Sequence, residues 1–158
     1  MAAQRINNPF LTEEDWVWIA LAENVRLLSK DPNRKVGCVL VKDGVLVSSG
    51  FNKLPLNSTF QNSFRLSDPL TKNLSIIHAE MAAINVAASE GLSVKGCTAF
   101  ITCHPCSTCA SILIDVGIER VICPGFQSYN GKWSDSFKLA SDDMYQSGIR
   151  VLYYGELP

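Results

Sequence analysis

A three-layer α/β fold, with helices on both faces of a mixed five-stranded sheet, is what this sequence predicts. Three observations carry the prediction. Two apolar runs flank Asp43-Gly44, a pair suited to the tight turn of an antiparallel hairpin. Downstream, short apolar runs alternate with helical patterns, the arrangement that builds parallel strands with helical crossovers. The hydrophobic fraction is 47%, enough for a sheet covered on both faces.

The elements follow in chain order. Thr12-Glu13-Glu14-Asp15 reads as a helix start: Thr12 can cap, and the acids suit the positive end of the helix dipole. Trp16, Ile19, Ala20, Val25 and Leu28 then recur at roughly helical spacing, and Lys30-Asp31-Pro32-Asn33 stops the helix. Residues 36–41 and 45–49 are the hairpin strands. Residues 53–75 read as a polar loop with Pro55 and Pro69, long enough to suggest a functional connection. An Ala-rich helix covers 77–90 and ends before Gly91. Residues 98–102 form a buried strand, 106–116 a helix stopped by Gly117, and 120–123 another strand. A loop over 124–133 leads to a helix over 134–146, stopped by Gly148, and the last strand covers 149–154.

Size and charge narrow the functional classes. The 158 residues fit one domain over 1–158, with no internal repeat or linker composition. The N-terminal residues carry no signal-peptide core and no run reaches the ~18–20 apolar residues of a membrane span, so a cytoplasmic protein without a membrane partner is expected. A formal net charge of −1 weighs against a nucleic-acid partner, whose phosphates demand many cations. Six cysteines in such a chain read as thiols rather than disulfides. Cys38, Cys97 and Cys123 lie in apolar runs and are expected in the core. Cys103 reads as a core thiol at a strand end in preference to a ligand.

The chemistry lies in His78-Ala79-Glu80 and Pro105-Cys106-Ser107-Thr108-Cys109. His78, Cys106 and Cys109 are good zinc ligands, and Glu80 is a carboxylate left over. Structural zinc sites use four protein ligands; catalytic ones use three and keep a position open. Cys106 and Cys109 sit at i and i+3 of a helix start, so both sulfurs face one way, and the helix N-terminus favours thiolates. Pro105 suits a helix entrance, where its missing N–H costs little. Glu80 can lie beside the metal without binding it and serve as the proton carrier. A four-ligand zinc-binding interaction module is the rival, with His104 and Cys103 as the nearest candidates for the fourth position.

H-x-E…P-C-x-x-C is the signature of zinc-dependent nucleobase deaminases. The chain resembles the cytidine deaminase-like superfamily, and within it the deoxycytidylate (dCMP) deaminases, over about residues 12–154. Besides the metal motif, the resemblance rests on Ser29-Lys30-Asp31-Pro32-Asn33, Val36-Gly37-Cys38, Gly50-Phe51-Asn52 with Pro55, Lys95-Gly96-Cys97-Thr98, Cys109-Ala110 and Gly117-Ile118. Arg65-Leu66, Asp68-Pro69 and Lys72 are similar to a bacterial and phage subgroup.

The resemblance implies a cytidine deaminase-like fold, one catalytic Zn²⁺ per subunit and a small nucleotide substrate. It also implies a homo-oligomer, dimeric or hexameric. It implies hydrolysis of dCMP to dUMP and ammonia, with Glu80 moving protons from water to the ring nitrogen and then to the leaving amine. Asn52 would contact sugar or base; its bland alternative is a polar turn residue. The Ala79 N–H would meet the base carbonyl, and the Pro105 carbonyl region the departing amine. Arg34, Arg65 and Lys72 are the favoured phosphate cations, each of which could equally be a solvated surface charge. Tyr129 and Trp133 are candidates to cover the pocket.

The chain departs from the family at Ala82, where Asn is usual, at Lys53 in place of Gly, and at Leu56-Asn57 in place of Arg-Gly. These positions concern nucleotide contacts and leave the metal chemistry intact. The alternatives within the superfamily are 5-substituted dCMP, dCTP, a free base or nucleoside, and tRNA adenosine.

Overall fold

The structure is a computed structural model that describes residues 8–55, 64–126, 131 and 133–155. Five strands form one sheet in the order β2-β1-β3-β4-β5. They are β1 (Gly37–Lys42), β2 (Val45–Phe51), β3 (Thr98–Ile101), β4 (Arg120–Pro124) and β5 (Arg150–Tyr154). β1 pairs antiparallel with both β2 and β3, whereas β3, β4 and β5 run parallel. The mixed sheet expected from the sequence is therefore present, and Asp43 (φ 51°) with Gly44 (φ 71°) makes the hairpin turn.

Side-chain alternation divides the core between two faces. Val39, Val41, Phe100 and Ile122 pack with Ile19, Ala22 and Val25 of α1 (Glu13–Val25). Cys38, Leu40, Ala99, Ile101, Val121 and Cys123 face the other way, onto the remaining large helices. These are α4 (Ala79–Ser89), α5 (Ser107–Asp115) and α6 (Ser134–Gln146). Cys38, Cys97 and Cys123 are fully buried free thiols, as their apolar surroundings predict.

Thr12 and Asp15 close a reciprocal capping box that starts α1. The stretch read as a polar loop holds more structure than expected. It contains α2 (Phe64–Ser67) and α3 (Pro69–Ser75). Asp68 caps α3 by accepting from the Thr71 N–H at 2.9 Å, and Pro69 occupies the first turn. Proline there starts a helix instead of breaking one, because its lost N–H was an unpaired donor anyway. Lys53 and Ile77 join in an isolated antiparallel bridge, so the segment leaves and returns at one place.

Gly50 sets the seat of α4. A Cβ at Gly50 would stand 2.3 Å from the Ala83 nitrogen and 2.7 Å from the Ala79 oxygen. Only a residue without a side chain lets the helix backbone lie this close to β2. Ala79, Ala82, Ala83 and Ala87 supply a helix surface small enough to match. Ser48, on the same strand, donates to the Ala83 carbonyl at 2.9 Å. Strand and helix are locked together next to the start of α4, where the reactive residues lie.

Candidate active site

His78 and Cys106 are the N-cap residues of α4 and α5, and neither makes a side-chain capping hydrogen bond. Their side chains are directed at each other instead. His78 Nδ1 lies 3.6 Å from Cys106 Sγ and 3.4 Å from Cys109 Sγ. A tetrahedral zinc with ordinary Zn–N and Zn–S bonds would separate nitrogen and sulfur by about 3.6 Å. The spacing of this triad therefore fits the ion. All three ligand atoms lie within 4.8 Å of one another, and no further residue joins the group among the described residues. Cys103 and His104, the residues weighed for a fourth position, stay outside it.

Electrostatics agree with the geometry. The hydrogen bond with Cys109, helped by His78, outweighs burial and lowers the Cys106 thiol to about 4. Cys109, held against the Cys106 charge and buried, is pushed the other way. Thiolates are the form that binds a cation, so binding here would release thiol protons. Two helix N-termini converge here and add partial positive charge. Glu80 occupies the second position of α4 and is 4% exposed. Burial raises its carboxyl above the ordinary range, partly opposed by backbone hydrogen bonding and His78. Such a group can both accept and return a proton.

His78 and Cys106 of the triad open on a cavity of about 340 Å³. His78, Glu80 and Cys106 line its floor; Asp31, Arg34, Asn52 and Lys72 line its wall. Trp133 and Phe137 cover one side, stacked with ring centroids 6.3 Å apart. Trp133 also meets His78 edge-on at 6.4 Å.

The residues expected to touch substrate are distributed unevenly. Asn52 faces the cavity but spends its amide on the protein: Nδ2 donates to the Arg34 carbonyl at 2.8 Å and to Asp31 at 3.2 Å. Its Oδ1 accepts from the Val36 N–H at 2.8 Å. Arg34 lies at the rim, with Nη1 3.8 Å from the Cys103 sulfur. Lys72 pairs with Asp31, whose two oxygens are 3.1 and 3.0 Å away. Ala79 is the first residue of α4, so its N–H has no partner within the helix. The Pro105 carbonyl accepts from His104 Nδ1 at 2.9 Å, and Pro105 is not among the residues lining the cavity. The Arg65 side chain and Tyr129 lie outside the described residues.

Sequence reasoning missed Asp31 and the part played by His104. Asp31 is 3% exposed yet faces the cavity. It sits in a segment read as a helix stop and as part of the family resemblance but given no role in the site, and no spacing ties it to Lys72 or Asn52. His104 is wedged against Phe126, Phe137 and Tyr153. Burial lowers its pKa to about 4, so the ring is neutral. A carbonyl oxygen can only accept, so Nδ1 carries the ring proton.

Residues 12–124 match the family described as the cytidine and deoxycytidylate deaminase zinc-binding region. The chain belongs to this family. It is a zinc-dependent hydrolytic deaminase by that membership, with His78, Cys106 and Cys109 placed to hold the ion. A deaminase from the luxG 3' region of Aliivibrio fischeri is 33% identical over 134 residues, covering 84% of this chain and 88% of the relative. A probable deoxycytidylate deaminase of Caenorhabditis elegans is 38% identical over 108 residues, covering 66% of this chain and 53% of the relative. The chain therefore spans about half the length of that animal relative. The dCMP deaminase of cyanophage S-TIM5, solved with dCMP and dUMP, superposes with a TM-score of 0.74 at 23% identity. That match covers 90% of this chain and 98% of the phage chain, and it shows a shared fold.

Proposed function

We propose that this deaminase acts on a cytosine deoxynucleotide, converting dCMP to dUMP and ammonia within one catalytic domain spanning 1–158. The observation that carries the reading is Glu80, buried beside the His78–Cys106–Cys109 triad and outside it, facing the same cavity as Arg34 at the rim. A proton carrier at the floor and a cation at the mouth suit a base with a phosphate attached. The cavity is of small-molecule size. The C. elegans relative is named for deoxycytidylate, and the phage structure contains dCMP and dUMP.

When bound, zinc polarises water and brings its pKa toward neutrality. The Ala79 N–H holds the base carbonyl and sets the ring above Glu80. Glu80 takes a proton from the attacking water and gives it to the ring nitrogen. The oxygen adds to the amine-bearing carbon. Glu80 then carries the second proton from that oxygen to the amine, the carbon–nitrogen bond breaks, and ammonia leaves a new carbonyl behind. The Pro105 region receives the amine. Arg34 takes the phosphate. Asn52 keeps one Oδ1 lone pair for a sugar hydroxyl.

The test is ammonia release from dCMP, dCTP, 5-methyl-dCMP, cytidine, cytosine, guanine and a tRNA anticodon stem-loop. The reading expects dCMP to lead the substrates without phosphate by at least about tenfold in kcat/KM, the usual worth of one charged contact. Preference for a substrate without phosphate would overturn it. No described helix is long and apolar enough to cross a membrane. We further propose a cytoplasmic homo-oligomer, dimeric or hexameric, which sedimentation as a monomer would contradict.

A further inference from the structure

Asp31 is a buried carboxylate with more partners than any helix stop requires. Its Oδ1 accepts from the Asn33 N–H at 2.8 Å and the Arg34 N–H at 3.2 Å. Its Oδ2 receives the Asn52 amide at 3.2 Å, and the Lys72 ammonium lies 3.0 Å from the same oxygen. Ser29 adds a further tie, since its hydroxyl donates to the Asn52 carbonyl at 2.8 Å and accepts from the Asp31 N–H at 3.2 Å. Three separate parts of the chain meet at this carboxylate: the rim after α1, the end of β2, and α3, which lies 41 residues downstream. The Lys72 side chain is 13% exposed and that of Asp31 3%, so water screens the pair weakly.

We infer that Lys72 is a positioning residue and not a phosphate ligand: through Asp31 it latches α3 onto the pocket wall and so fixes the shape of the substrate entrance. Its charge is already neutralised by a buried carboxylate whose partners at Asn33, Arg34 and Asn52 are uncharged N–H donors. The residues α3 brings to the cavity are Pro69, Lys72 and Asn73, and Ile76 follows directly. Among the described residues, the other hydrogen bonds of α3 are to Asp68, its own cap, and in the turn into Ile76. Glu80 and the metal triad stand on α4 and α5, which the latch does not touch. Loss of the latch should therefore loosen substrate binding and leave the chemical step alone.

The inference rests on the deaminase site, and only one limb of its test depends on the dCMP reading. The variants are Lys72→Met, Lys72→Arg and Asp31→Asn in the full chain, each checked for one zinc. The first limb uses no substrate: amide hydrogen exchange across 69–76. Lys72→Met and Asp31→Asn should raise exchange there at least tenfold over the native chain, with α4 and α5 unchanged, and Lys72→Arg should restore protection. Unchanged exchange overturns the latch. The second limb compares dCMP with deoxycytidine. A latch predicts that Lys72→Met raises KM about tenfold for both, with kcat within twofold. A loss confined to dCMP overturns the inference and makes Lys72 a phosphate contact. If neither compound is turned over by the native enzyme, the dCMP reading fails and the exchange limb still decides the latch.

Discussion

Arg120 extends both guanidinium arms to the carboxylate of Asp15, each at 2.8 Å across 105 residues of chain. The pair bolts the start of α1 to β4 and leaves the reactive site untouched. Burial alone would raise the Asp15 carboxyl, but Arg120 and the Thr12 contacts hold it below the ordinary range. A depressed folded-state pKa stabilises the fold above the unfolded value near ~3.9, and that stability is lost as pH falls through the folded value. Arg120→Met should therefore cost about 2–3 kcal/mol near neutrality and progressively less in acid. Urea melts of both proteins across the acid range check this. A deficit that does not shrink in acid would show that packing, not the ion pair, is responsible.

Glu80→Gln keeps the shape of the side chain and removes its proton traffic. Zinc content should stay at one per chain, and kcat should fall by about 10²–10⁴-fold. Metal analysis and steady-state kinetics on one preparation separate this from loss of the ion. Near-native turnover would remove Glu80 from the reaction.

The metal set should prove to be three protein ligands. Cys109→Ser should lose stoichiometric zinc, whereas Cys103→Ser and His104→Gln should retain it. Chelation should abolish activity, and added zinc should restore it. A site occupied at about 1,000 times its dissociation constant contributes about 4 kcal/mol, so the chelated protein should melt markedly earlier. A zinc-free Cys103→Ser protein with native folding would add a fourth ligand to the set.

Gly50→Ala places a methyl group where the Ala83 nitrogen already lies at 2.3 Å. The helix must move, and His78 and Glu80 move with it. The expected cost is about 3 kcal/mol or more, with zinc affinity falling in parallel. Thermal melts and competitive zinc titration report the two effects. Loss of stability with unchanged zinc affinity would mean that β2 yields instead of α4.

Much of this was legible in the sequence because local patterns matched the final arrangement. Asp43-Gly44, the Thr12–Asp15 box and the alternating runs specify their own turns, caps and faces. The metal triad was legible because helix spacing brings Cys106 and Cys109 to one side and because His78-Ala79-Glu80 completes the deaminase signature with them. The pocket wall was harder to read. Asp31, Asn52 and Lys72 are brought together by the sheet and by α3, and no local spacing encodes that meeting. The helix over Pro69–Ser75 was hidden for a related reason: Asp68-Pro69 serves equally as a loop breaker and as a helix start, and only the packing decides.

His78 and Cys106 both stand where a helix ordinarily begins with a capping side chain, and both leave that task undone. The ion they would share becomes the common first stitch of α4 and α5. Filling the site and finishing these two helices are then a single cooperative event. A chain that has not acquired zinc should show frayed first turns at residues 79–81 and 107–109, open to proteases that the loaded enzyme resists. Catalytic competence and survival in the cell would depend on the same atom.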